Sequence, residues 1–108
     1  MKKKNEFLHN HIEIVMGKMF EAVGLDYLNP EVKADYRIYD KDSEWYTRCE
    51  WTEKQQVEFI EWLTGYLMGN SEARRALMAG PWKNKRRCYL TAMEFTMFYG
   101  WKTKKEEK

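Results

Sequence analysis

Side chains able to do chemistry are sparse in this chain, and their spacing argues against each familiar site. The two histidines stand together in His9-Asn10-His11. On a helix, positions two apart point about 200° from one another, so the pair cannot grip one ion. The tripeptide spells part of a nuclease motif, but that motif needs dispersed residues around a metal, and one tripeptide does not supply them. Both histidines are expected on a helix surface, exposed or half-exposed. Cys49 and Cys88 lie far apart without paired neighbours. Two thiols do not make a structural zinc site, nor the dense framework of a small secreted domain. They read as free thiols in a reducing cytoplasm.

The run Asp40-Lys41-Asp42-Ser43-Glu44 opens like a calcium loop. Its sixth position is Trp45, where glycine is needed, and its twelfth is Trp51, where a bidentate glutamate belongs. It reads instead as a solvated acidic turn. Neither a glycine-rich phosphate loop nor a G-x-S-x-G elbow occurs. The expectation is a non-enzyme with no catalytic, metal-binding or cofactor-binding residues and no small-molecule substrate.

Cations and rings carry more information. The first 51 residues hold 8 basic and 10 acidic side chains, and the rest hold 11 and 7, so positive charge gathers in the second half. Arg74, Arg75, Lys83, Lys85, Arg86 and Arg87 form an island with Trp82 and Tyr89 among them. Phosphates attract such clusters and exposed rings stack on bases, which makes these six the candidate nucleic-acid contacts. A helix, a glycine-containing turn and a second helix also permit a helix-turn-helix. The overall charge of +2 and pI near 8.5 are low for that role. With 16% aromatic residues, the supply of rings is large for one small core. Phe59, Trp62, Tyr66, Met93, Phe95 and Met97 are expected mostly inside. Trp45, Tyr46, Trp82, Phe98 and Trp101 are the candidate protein interface, being residue types enriched at binding surfaces.

These side chains must be positioned by helices. Leu8, Ile12, Val15, Met19 and Val23 recur at steps of three and four, widened by Met16 and Phe20, and predict a helix over 6–23. Asn5 is its candidate N-cap and Gly24 its stop. Asn29-Pro30-Glu31 has the order of a helix start. From about 34 to 51 the chain is aromatic-rich and irregular, and 36–39 and 45–51 are candidates for a small hairpin. Thr52 with Gln55 forms a capping box opening a helix over 53–69, with Val57, Ile60, Leu63 and Leu67 as its inner stripe. Ser71 should cap a short helix ended by Gly80-Pro81. Residues 82–86 read as a basic turn. From about 87 to 99 the chain is apolar on nearly every side, which marks a helix central to the core or covered by a partner. Gly100 is placed as its C′ residue.

The fold class is therefore mainly α: one domain over 1–108, a small bundle of three longer helices and one short one, with frayed basic ends at about 1–4 and 102–108. No stretch approaches a transmembrane helix, and acidic and histidine residues break any signal-peptide core, so a cytoplasmic protein is expected.

From Trp51 to Lys102 the chain resembles a set of small phage and mobile-element proteins of gut Bacteroidota. The shared pieces are Trp51-Thr52 before a Gln-containing helix, Arg74-Arg75, the Asn84-Lys85 turn and the ending Phe98-Tyr99-Gly100-Trp101-Lys102. These pieces have no known chemical job and transfer no site. The resemblance implies a cytoplasmic, phage-borne origin and binding of a host or phage protein, or of nucleic acid. The reading of the residues points the same way: an unknown protein partner or a homodimer through the last helix, with nucleic acid as the alternative.

Overall fold

The computed structural model describes residues 2–36, 49–78 and 83–104. It is mainly helical, with a two-stranded sheet. The helices are α1 (Lys2–Ala22), α2 (Pro30–Tyr36), α3 (Glu53–Gly69), α4 (Ser71–Met78) and α5 (Lys85–Tyr99). Strand β1 (Glu50–Trp51) pairs in parallel with β2 (Lys102–Thr103), Glu50 opposite Lys102 and Trp51 opposite Thr103. Outside the described residues lie most of the hairpin segment, the acidic turn at 40–44, the Gly80-Pro81 stop, and Trp45, Tyr46 and Trp82.

The helix ends follow local chemistry. α1 starts at Lys2, so Asn5 is inside the helix rather than its cap. It ends in a Schellman arrangement: Leu25 N–H donates to the Phe20 carbonyl at 2.9 Å and Gly24 N–H to Glu21 at 3.0 Å. Gly24 sits at φ 78°, which a side chain would resist. Asn29 accepts from Glu31 N–H at 2.9 Å and so caps α2, with Pro30 in its first position. The Thr52–Gln55 capping box closes in both directions, at 2.8 and 3.0 Å. Gln55 also donates through Nε2 to the Ala22 carbonyl, tying the start of α3 to the end of α1. α4 is capped by Asn70, whose side chain accepts from Ala73 N–H at 3.0 Å, and not by Ser71. Asn84 caps α5 in the same way through Arg87 N–H, two residues before the expected start.

The core is assembled from Val15, Met19 and Phe20 of α1, Phe59, Leu63 and Leu67 of α3, and Cys88 and Ala92 of α5. The three predicted long helices do supply it. Trp51 and Trp101, from the sheet side, complete it. Of the expected inner stripe of α3, Leu63 and Leu67 are buried and Ile60 is half-buried, while Val57 is half exposed; Phe59, expected inside, is buried against Trp51. α3 and α5 form the most extensive helix pairing. α5 contributes small groups to the buried interior, namely Cys88, Ala92 and Thr96, and Thr96 satisfies its hydroxyl on the Ala92 carbonyl at 2.7 Å.

The sheet holds the chain beyond α5. Lys104 N–H donates to the Trp51 carbonyl at 2.9 Å, so residues 102–104 are paired where a frayed tail was expected. Lys2–Lys4 at the other end lie within α1. Gly100 stands between the helix and the sheet. Its φ of −77° suits any residue, so glycine is required by space. A Cβ there would run into the Thr96 carbonyl oxygen and meet the Trp51 ring at 3.0 Å.

Candidate interaction surface on the last helix

The structure divides the six candidate cations. Arg74 is buried at 7% exposure, and its Nη1 donates to the carbonyls of Leu67 at 2.7 Å and Met68 at 2.9 Å. Those carbonyls end α3, so Arg74 satisfies acceptors that a helix terminus leaves over. It is a structural cap and no part of a surface for phosphates. Arg75, one residue on, is exposed. Lys83, Lys85, Arg86 and Arg87 are also exposed, and the last three form the first turn of α5. A helix N-terminus carries partial positive charge, and that turn contains no acid. The cations thus collect where the helix least favours them.

The interface candidates divide too. Phe98 is 43% exposed. Trp101 is buried, its Nε1 donating to the Met19 carbonyl at 3.0 Å and its ring edge-on to Phe20 at 4.9 Å. Its residue type places it in the candidate interface, and the structure makes it a core residue, held beneath α1 by these contacts. His11 is likewise buried, with Nδ1 2.7 Å from the Tyr66 hydroxyl, where a surface position was expected. The side chain of His9 lies outside the described set.

Sequence reasoning missed two exposed apolar residues of α5, Leu90 and Met97. Met97, expected inside, is 75% exposed, and Leu90 is 49% exposed. Positions 86, 90, 93, 94 and 97 share one side of a helix by their spacing, opposite the small-residue side that meets α3. The signal was present as a helix apolar on nearly every side. What the sequence withheld was its phase, since Cys, Ala and Thr face inward and larger Leu and Met face out. Beside this face, α4 and α5 frame a shallow groove of about 630 Å³ lined by Arg75, Leu77, Thr91, Glu94, Phe95 and Phe98.

A second surface lies at the corner of α1 and α2. Glu13 accepts from the Tyr27 hydroxyl at 2.6 Å and from Lys33 Nζ at 2.9 Å, and the Lys33 ammonium stands 4.5 Å from the Tyr27 ring centroid. This clamp fastens α2 to α1. Ile14 and Leu28 are exposed beside it. Burial raises the Cys49 thiol above its ordinary pKa, against weaker lowering by its contact with the Glu50 backbone and by Lys104. Burial also raises the Tyr66 phenol. A raised thiol pKa disfavours the nucleophilic thiolate at neutral pH. Among the described residues, no three His, Cys, Asp or Glu side chains cluster as a metal site, and no helix is long and apolar enough to cross a membrane. No family model, curated protein or solved structure matches this chain.

Proposed function

We propose that this is a non-enzymatic, cytoplasmic protein-binding module, of phage-borne origin, that docks through the outer face of α5. One observation carries the reading. Leu90 and Met97 are 49% and 75% exposed on one side of a helix whose opposite side is locked into the core, with half-exposed Tyr89 and Phe98 on its two flanks. Exposed apolar groups gathered on one face mark interaction sites more than scattered ones do. Leucine and phenylalanine supply area to desolvate, and methionine adapts to the shape of what lies against it. Lys83, Arg86 and Glu94 provide a charged edge to fix orientation.

A photo-crosslinking residue in place of Met97, in the cell that makes the protein, tests this. The reading expects a discrete protein adduct that is lost when Leu90→Asp is added. No adduct, or one indifferent to Leu90→Asp, contradicts it. The alternative is nucleic-acid binding by Lys83, Lys85, Arg86 and Arg87, supported by four exposed cations at the acid-free start of α5. It expects a mobility shift with DNA or RNA at low salt that Arg86→Glu/Arg87→Glu abolishes. Absence of a shift at low salt ends that alternative.

A further inference from the structure

The outer line of α5 is charged in a pattern complementary to itself. Arg86, Leu90 and Glu94 stand at intervals of four, so they follow one line along the helix. Arg86 and Glu94 are about 12 Å apart along the axis, too far to pair within the helix. Neither takes part in an ion pair among the described residues, and Glu94 is the only acid in α5. Both are exposed.

We infer that the occupant of this face is a second copy of the chain, its α5 antiparallel to the first about a two-fold axis at Leu90. This rests on the docking reading above and names its partner. A two-fold contact is isologous: whatever residue i meets, that residue meets i. With the axis at Leu90, each Arg86 faces Glu94 of the second copy and the two Leu90 side chains meet at the centre. Met93 and Met97 lie on the same side of the helix and extend the apolar part of the contact. The other simple arrangements are worse. A parallel pair sets Arg86 beside Arg86 and Glu94 beside Glu94. An antiparallel pair centred near Met93 brings the two Glu94 carboxylates together. Like charges in contact exclude both. The contact is one helix wide, so it belongs to the weak class of interfaces.

Sedimentation equilibrium of the full chain at low salt, from ~10 μM to ~1 mM, tests the inference. The expected result is a monomer–dimer equilibrium within that range. Glu94→Arg alone and Arg86→Glu alone should each weaken dimerisation about tenfold or more, and the swap Arg86→Glu/Glu94→Arg should restore it to within about threefold. Both positions are on the surface, and unchanged far-ultraviolet dichroism verifies that each of the three variants folds. A monomer throughout overturns the inference. So does a dimer that ignores the single reversals, or one that the swap does not rescue. The crosslinker at position 97 separates the two levels. A monomeric chain that yields a Leu90-dependent adduct with another protein ends the second-copy inference and leaves the docking reading standing. A monomeric chain with no adduct ends both.

Discussion

α3 and α5 pack along one another, yet they are built to different ends. α3 opens on a closed capping box with Glu53 in its first turn, and its last carbonyls are covered by Arg74. Its rings are used internally: Phe59 packs on Trp51 and stacks with Trp62, which stacks on Tyr66 at 5.2 Å. α5 opens on Lys85, Arg86 and Arg87, turns Cys88, Ala92 and Thr96 inward, and leaves Leu90, Met97 and Phe98 in water. Where every local choice in a helix favours folding, stability explains it. Where charge and hydrophobicity both run against folding, the proposed partner would account for it.

The contrast is sharpest in the core. Phe59→Ala should cost about 3–5 kcal/mol of stability in urea unfolding, because it empties a closed site. Phe98→Ala should stay within about 0.5 kcal/mol at dilute protein, since its ring is half in solvent already. Equal losses at the two positions would break the comparison. Next in size is Gly100→Ala. A Cβ there meets backbone and a buried ring, and the expected loss is about 1–3 kcal/mol by the same measurement.

Helix ends give the next steps. Arg74→Ala leaves the terminal carbonyls of α3 without their donor and should cost about 1–3 kcal/mol, against about 0.5 kcal/mol or less for Arg75→Ala. At the start of α5 the sign reverses. Lys85→Glu places an acid in an acid-free first turn and should stabilise by about 0.3–1 kcal/mol at low salt, fading as salt is added.

The smallest effect is on pH. Burial raises both Cys49 and Tyr66, so each binds its proton more tightly in the folded chain than in the unfolded one. Their contribution is complete below the unfolded values and is lost as pH climbs through the folded ones. Stability should therefore decline from about pH 9 upward, and Tyr66→Phe should flatten the upper part of that decline. A decline that Tyr66→Phe leaves unchanged would remove the tyrosine from this account.

The ends of the helices were the most legible part of the sequence. Thr52–Gln55, Asn29-Pro30 and Gly24 act on backbone groups a few residues away, so spacing alone reveals them. What sequence could not show depends on distant partners. The pairing of Glu50–Trp51 with Lys102–Thr103 joins segments too short to carry a pattern of their own, and it is this pairing that draws Trp101 inside. Arg74 looked like its exposed neighbour because nothing local shows that its guanidinium reaches back to Leu67 and Met68. Of the candidate surface, Phe98 and the cations from Lys83 to Arg87 could be read from residue type. Leu90 and Met97 could not, because a helix apolar on nearly every side does not declare which side its small residues will bury.

Methionine methyl resonances test the central claim most directly, with Met19 as an internal reference. Met19 is fully buried and Met97 is 75% exposed. On dilution of the full chain from high concentration, the account predicts that the Met97 methyl signal moves and sharpens as its cover departs, while Met19 holds its position. A Met97 signal that stays fixed and sharp at every concentration would show its face to be uncovered by any second copy and would contradict the account.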